Sequence, residues 1–313
     1  MACNIIRPKD RQEWLRLRSK GIGSSEVGTI LGVNPWETPL QLWRRKMGID
    51  PPKEENFAMK AGHYLEDAVS KFFADETNAH IIQASKGDWL MVDKERDYLR
   101  VSPDRTYWLP DATRNETNKG ILECKTTRMD VDKDYLPQYW YCQLQYQLSV
   151  SGYNHGALAW LVMGSSFDYK MINHDAEFCE WMISEIEQFW TVNIVGGKEP
   201  DPVNAEDILL KSPKHTLGKT INANDDMLKK LAMLKGIKED MKASEQEAKQ
   251  LEDALKIAMD DAEAIMAGGK AVVTWKAAKD GVKFDAKAFQ TEHPDLYESY
   301  CKPVAGSRRF LVK

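Results

Sequence analysis

Val101-Ser102-Pro103-Asp104 and, after a turn-rich insert, Gly120-Ile121-Leu122-Glu123-Cys124-Lys125-Thr126-Thr127 form the stretch whose reading decides the fold. Its second half reads as a short strand opened by the turn signal Asn118-Lys119-Gly120. Successive side chains of a strand face opposite ways, so Glu123 and Lys125 share one face and Cys124 takes the other. A carboxylate and an ammonium then project side by side from a rigid element. If Asp104 ends a neighbouring strand, it brings a second carboxylate to the same place. Two carboxylates on a sheet edge suit Mg²⁺, which keeps several waters and takes one or two carboxylates plus substrate phosphate. A lysine beside them supplies positive charge near an attacking water or a phosphate oxygen. Such a set is equipment for phosphodiester hydrolysis.

Glu-x-Lys alone does not establish this, because two common residues at fixed spacing recur by chance. Glu247-Ala248-Lys249 repeats the pattern in a helical run, where residues two apart do not share a face. Pro-Asp also recurs, at Pro110-Asp111. The competing reading of Glu123 and Lys125 is a solvated ion pair on an edge strand, worth little. On these residues alone both readings stand.

With 313 residues the chain can hold one large domain, or one domain followed by a smaller one. A net charge of −5 argues against a generally basic nucleic-acid coat, but not against a local basic channel. The first fifty residues carry nine Lys or Arg against five Asp or Glu, so the acid excess lies further along. The cysteines (Cys3, Cys124, Cys142, Cys179, Cys301) are scattered and form no Cys-x-x-Cys pair. They read as buried free thiols of a reducing compartment, and they exclude an iron–sulfur nuclease. Neither a signal peptide nor a membrane-spanning run is expected.

Asp10 can start a helix over Arg11–Ser19, and Gly21-Ile22-Gly23 breaks it. Ser24 or Ser25 then reads as the N-cap of a second helix ending at Gly32. With Arg18 nearby, that helix start could hold a phosphate; an ordinary capped helix with a surface arginine is the alternative. A third helix covers Leu40–Met47, where Trp36, Leu42 and Trp43 are candidates for core or for base contact. Ala58–Asp75 is a long helix with Leu65, Ala68, Val69, Phe72 and Phe73 on its apolar face and Glu66 just off it. Ile81–Trp108 reads as a meander of short strands, Asp134–Ser149 as an amide- and aromatic-rich helix with Gln145 and Gln147 towards solvent, and Gly156–Met163 as a strand buried on both faces. Phe178–Val195 closes the domain as a helix.

Past the turn-rich Gly196–Pro202 an apolar stripe runs from Leu228 to Ile265, as one long helix or a hairpin turning near Gly236. Gly268-Gly269 ends it. A strand at Ala271–Trp275, a helix over Phe284–Tyr300 broken by Pro294 and a basic-apolar strand Ser307–Lys313 complete the chain. The division expected is 1–203 for the main domain and 204–313 for a helical, partly coiled-coil extension with a small β element.

Asp104 with Glu123-x-Lys125 resembles the PD-(D/E)xK nuclease motif. Three further stretches accompany it in order: Trp14-Leu15-Arg16-Leu17-Arg18 with Ile22-Gly23-Ser24-Ser25-Glu26-Val27, then Gly62-His63-Tyr64-Leu65-Glu66, then Gln143-Leu144-Gln145-Tyr146. Together they resemble the YqaJ-type viral recombinases, the family that includes the exonuclease of phage lambda, over roughly the first two thirds of the chain. The resemblance implies an α/β, restriction-endonuclease-like core, a central mixed sheet flanked by helices. It implies Mg²⁺-dependent hydrolysis, with Mn²⁺ able to substitute, of one strand of linear double-stranded DNA from its 5′ end. The product is a 3′ overhang for a single-strand annealing protein.

By the same resemblance Asp104, Glu123 and the backbone carbonyl of Cys124 hold metal, and Glu66 assists them. Lys125 orients or helps deprotonate the attacking water, Gln143 packs over the site, and Arg18 and Ser25 bind the 5′-terminal phosphate. Some relatives are trimeric rings, so a homo-oligomer is also expected, in the cytoplasm of a bacterial host and of phage or prophage origin. The competing readings are a restriction-like endonuclease, which has no terminal phosphate to hold, and a non-catalytic DNA-end binder, which gains nothing from a cluster of like charges.

Overall fold

The strand read from Gly120 to Thr127 forms over those residues, and it lies in the middle of its sheet rather than at an edge. The computed structural model describes residues 3–82, 89–304 and 306–312. The chain begins with β1 (Cys3–Ile6), α1 (Arg11–Arg18), β2 (Ile22–Gly23), α2 (Ser24–Ile30), α3 (Pro39–Lys46) and α4 (Phe57–Thr77). Strands β3 (His80–Ile82), β4 (Leu90–Asp93), β5 (Leu99–Val101), β6 (Arg105–Trp108) and β7 (Gly120–Thr127) follow. Then come α5 (Gln138–Ser151), β8 (His155–Val162), β9 (Ser166–Asn173) and α6 (Ala176–Gln188), which runs on into a wide π-helical segment, Phe189–Val195.

The main sheet has the order β3-β6-β7-β8-β9 among the described residues, with β7 and β8 parallel and the other pairs antiparallel. A parallel pair needs a crossover, and α5 supplies it. Ile121, Leu158 and Trp160 belong to the core formed with Trp140 and Leu144 of α5. Leu122, Cys124, Ala157 and Ala159 pack instead with Val69 and Phe73 of α4. The alternation read along β7 is therefore real: Leu122 and Cys124 face α4, and Glu123 projects towards α5. Burying each large apolar side chain in these two layers stabilises the fold by about 1.5–3 kcal/mol. The result is the expected α/β core, a mixed sheet flanked by helices.

The segment read as one meander divides between two sheets. β3 and β6 join the main sheet, whereas β4 and β5 join β1 and β2 in a second one of order β1-β4-β5-β2. Pro103 has no N–H to continue a ladder, and the chain bends at Asp104 between β5 and β6. That bend sets Asp104 at the head of β6, where Arg105 pairs with Leu122 of β7.

Local signals explain most helix ends, with two corrections. Asp10 caps α1 by accepting the Glu13 N–H at 2.8 Å. Neither Ser24 nor Ser25 caps α2; Gly23 is the cap, and the Glu26 carboxylate accepts the Gly23 N–H at 2.8 Å. With Glu26 doing the capping, the Ser25 hydroxyl is available to another partner. α5 starts at Gln138 rather than Asp134, because Pro137 disfavours helical geometry at the residue before it.

Contacts divide the chain into Met1–Ile208 and Leu209–Lys313. The division falls past residue 203 because Asp207, in α7 (Ala205–Lys211), is buried and accepts from the Thr38 hydroxyl at 2.7 Å and the Val203 N–H at 3.0 Å. In the second unit α8 (Asp225–Met259) is one uninterrupted helix of 35 residues, with no turn at Gly236. Ile265 is not part of that helix. It lies in β10 (Ala264–Ala267), which pairs with β11 (Lys270–Thr274) around Gly268 and Gly269. Both glycines have positive φ (56° and 76°), the backbone a tight hairpin requires, so the hairpin claims residues that the stripe assigned to the helix. α9 (Ala286–Glu292) and α10 (Pro294–Tyr300) divide at Pro294 as expected.

Among the described residues no strand shares a ladder with Ser307–Val312, which therefore forms no strand; Lys313 lies outside the described residues. Cys3, Cys124, Cys142 and Cys179 are buried and free as expected, whereas Cys301 is exposed. Among the described residues no helix is long and apolar enough to cross a membrane.

Candidate active site

Where β6 bends away, the Asp104 side chain replaces the missing ladder partner: its Oδ2 accepts the Cys124 N–H at 2.7 Å. One residue along β7, Glu123 projects from the other face and is only 3% exposed. Lys125 Nζ donates to Glu123 Oε1 at 2.7 Å and to Gln143 Oε1 at 2.8 Å. Burial, then the charges of Glu123 and Glu66, push the Asp104 carboxyl well above its ordinary range. Burial opposes the charge on Lys125, but Glu123 and Asp104 outweigh it and raise its pKa, so the group stands as an ammonium.

Glu66 comes from α4 on the opposite side of the sheet. Its pKa is raised by burial and lowered in part by His63, whose ring nitrogen lies 3.3 Å from Oε1. Glu66 feels the charge of Glu123 and Asp104 feels both, so three acids share one region, with Lys125 among them and Arg105 beside Glu66. Such an accumulation of negative charge is costly unless a cation relieves it.

An amide-rich face of α5 covers the acids. Gln143 donates through Nε2 to Glu123 Oε1. One turn on, Gln147 donates to Glu123 Oε2 at 2.7 Å and to the Ser24 hydroxyl at 3.3 Å. Gln145 and Gln147, expected to face solvent, are both fully buried. Gln145 donates to the Asn173 carbonyl at 2.9 Å and accepts the Asp175 N–H at 3.0 Å, which ties α5 to the start of α6. Both amides are internal because backbone and carboxylate groups already inside need partners. Gln147 is the site residue that reading the sequence missed. The signal was present: Gln143 and Gln147 are four apart and so share a helix face.

Arg18, at the end of α1, donates to the Ser25 hydroxyl at 2.6 Å. The guanidinium also lies over the Trp14 ring, 4.8 Å from its centroid. A side chain at position 23 would come within 3.1 Å of Arg18 Nε, so Gly23 leaves the guanidinium its room. Burial lowers the Arg18 pKa, opposed by Glu26. Glu26 itself would be raised by burial, but Lys46, 2.8 Å away, and the Gly23 N–H hold it below its ordinary value. That ion pair fixes the start of α2, and with it Ser24 and Ser25. A cavity of about 110 Å³ joins the two groups: Arg18, Gly23, Ser24, Ser25 and Arg100 line it together with Asp104 and Gln143.

Leu42 and Trp43 belong to the core, and Trp43 donates to the Asn193 carbonyl at 2.8 Å. Trp36 is 66% exposed, with its ring edge-on to Tyr139 at 5.1 Å. The larger apolar cavity of about 550 Å³, lined by Leu31, Leu136, Phe178 and Trp181 among others, includes none of the residues of the acid cluster.

Among the described residues no group of three His, Cys, Asp or Glu side chains converges in ligand geometry. The donors at hand are the carboxylates of Asp104 and Glu123, with the Cys124 carbonyl next in chain. An oxygen-only set of one or two carboxylates fits a hard divalent ion that retains its own waters. The raised Asp104 carboxyl is the observation behind that fit, because a cation there would offset the repulsion from Glu123 and Glu66.

In fold and donor chemistry the molecule matches what its resemblance to the PD-(D/E)xK nucleases implies. More narrowly, it belongs to the YqaJ-like viral recombinase family, whose domain model matches residues 13–154. The uncharacterized protein YqaJ of Bacillus subtilis (strain 168) is 32% identical over 315 residues, covering 97% of this chain and 94% of that one. A shorter stretch, 45% of this chain, is 22% identical to an uncharacterized protein of Acanthamoeba polyphaga mimivirus, of which it covers 26%. Among solved structures, the alkaline exonuclease LHK-Exo of Laribacter hongkongensis matches with a TM-score of 0.45 at 17% identity, over 64% of this chain and 96% of that one.

Proposed function

We propose that the protein is a Mg²⁺-dependent exonuclease, able to use Mn²⁺, that hydrolyses one strand of linear double-stranded DNA from its 5′ end. The 3′ overhang it leaves is the substrate of a single-strand annealing protein, the partner we assign. The observation that carries this reading is the single cavity that Asp104 and Gln143 share with Arg18 and Ser25. An anion-binding corner beside the acids distinguishes a chain end from internal DNA, which an endonuclease does not need.

In this reading Arg18 and the Ser25 hydroxyl hold the terminal phosphate through charge-assisted hydrogen bonds. A divalent ion held by Asp104, Glu123 and the Cys124 carbonyl would supply Lewis-acid stabilisation of the charge that grows on the scissile phosphate. Lys125, an ammonium with its pKa raised, orients the attacking water or a phosphoryl oxygen and contributes positive charge; it does not take the proton. Gln143 holds Lys125 and Glu123 in register.

The test compares linear duplex with 5′-phosphate, linear duplex with 5′-hydroxyl, and closed circular duplex, all in Mg²⁺. Phosphorylated ends should be cut fastest and closed circles should survive. Arg18→Ala should shrink the phosphate preference by about 10–100-fold, the worth of a hydrogen bond to a charged group. Efficient cutting of closed circles would replace this reading with the endonuclease one.

The extension is proposed to be separable from the chemistry, because every residue assigned a role precedes residue 150. A chain ending at Lys211, which keeps Asp207, should remain folded and retain cleavage. Light scattering on both chains reads the homo-oligomer, a trimer by family analogy, and whether the extension builds it. A folded truncation with no cleavage would show that the extension completes the site.

A further inference from the structure

We propose that Gln147 is a positioning residue that couples occupancy of the terminal-phosphate cavity to the setting of Glu123; the proposal rests on the end-recognition reading above. Its amide nitrogen reaches two groups with different duties. One N–H goes to Glu123 Oε2 at 2.7 Å, the other to the Ser24 hydroxyl at 3.3 Å. Ser24 lines the cavity, and its neighbour Ser25 accepts from Arg18. A chain of hydrogen bonds therefore runs from the cavity wall to the active-site carboxylate through one side chain.

The orientation of that amide is set by charge. Turned over, it would press Oε1 against the Glu123 carboxylate and leave its NH₂ without an acceptor. In the observed orientation Oε1 is buried and has no hydrogen-bond partner. A buried, unsatisfied acceptor detracts from stability, so packing alone does not account for glutamine here; methionine would fill the same volume. What glutamine alone supplies is two N–H groups aimed at two different oxygens.

The consequence for Glu123 is directional. Its Oε1 accepts from Lys125 and Gln143, and its Oε2 accepts from Gln147. A carboxylate offers about four lone-pair directions, so the one left open is on Oε2. Gln147 thus fixes the direction in which Glu123 can meet a cation. The Ser24 contact, at 3.3 Å, lies beyond the usual span of about 2.7–3.2 Å for N–H···O bonds. When the Ser24 hydroxyl donates to a phosphate, its oxygen becomes the better acceptor and draws the amide in. End binding then tightens the setting of Glu123.

The experiment measures cleavage of 5′-phosphorylated and 5′-hydroxyl linear duplex by wild type, Gln147→Met, Ser24→Ala and the double variant, with thermal melts of each. Gln147→Met should melt close to wild type, because the orphan acceptor leaves with the amide while Glu123 Oε2 loses one donor. Its kcat on phosphorylated ends should fall about tenfold or more, the usual loss when a residue supporting a metal ligand is removed. KM should change less, and the phosphate-to-hydroxyl rate ratio should fall towards one. Ser24→Ala cuts the same chain at its other end and should lower the ratio too. The double variant should lower it no further than Gln147→Met alone, as for two residues in one path.

A Gln147→Met protein that is slower but keeps the wild-type ratio would reduce Gln147 to a structural support and overturn the coupling. Additive losses in the double variant would do the same. A wild type that shows no phosphate preference would instead remove the end-recognition reading, and the coupling with it.

Discussion

Glu123→Gln is expected to lower cleavage of linear duplex by about 10³-fold or more, with DNA binding kept within a few-fold. The change keeps the volume of the side chain and removes its charge. It also upsets the local hydrogen bonding, since Glu123 accepts from Lys125, Gln143 and Gln147. An amide can accept at only one oxygen, so its NH₂ must then face at least one of these donors. Both effects act on the same step, the holding of a cation and of Lys125 beside the scissile phosphate. Lys125→Ala should cost a comparable factor for a different reason: the carboxylates remain, and only the positive charge goes. Isothermal titration with Mg²⁺ separates the two, with affinity lost in Glu123→Gln and kept in Lys125→Ala. Full cleavage by Glu123→Gln would remove Glu123 from the active site.

Much of this arrangement was legible in the sequence, because strand geometry is local. The alternation of Glu123, Cys124 and Lys125 needs only the two-residue period, and α4 and α6 needed only their apolar stripes. The central position of β7 was not legible. It depends on β8, whose residues begin at His155, and a sequence-local reading left β7 at an edge. Gln147 was missed for a related reason. On a helix read by itself a glutamine belongs on the solvent side, and the demand that reverses this comes from Glu123, 24 residues earlier. The cap of α2 went to serine on propensity, but Ser24 is already the first helical residue, Gly23 is the cap, and the Glu26 carboxylate, held by Lys46, accepts the Gly23 N–H. At Ile265 two patterns overlapped, a helical stripe and a Gly268-Gly269 turn. The turn prevailed because a hairpin pairs its backbone groups while the helix has already ended at Met259.

Asp104→Asn should abolish cleavage and, in chelator, make the protein more stable than wild type. Burial, Glu123 and Glu66 all disfavour the charged form of Asp104, and its carboxyl lies well above the ordinary carboxylate range. A carboxyl raised in the folded state contributes stability that is fully present below its unfolded pKa. That contribution is lost as pH rises through the folded value. Metal-free wild type should therefore lose stability on going from pH 4 towards neutrality, and Asp104→Asn, with nothing to titrate there, should lose less. An asparagine oxygen can still accept the Cys124 N–H that Asp104 accepts now, so the ladder at the head of β6 survives. The gain is expected to be about 1–2 kcal/mol at neutral pH, a Tm higher by roughly 2–8 °C. Saturating Mg²⁺ should reverse the order, because an ion that binds only the folded state stabilises it by an amount that grows with the logarithm of its affinity, and the variant has lost a ligand. Thermal melts of both proteins at pH 4 to 8, in chelator and in Mg²⁺, make the comparison. If wild type is the more stable in chelator at every pH, the acids are not in repulsion, and a relieving cation loses its rationale at this site.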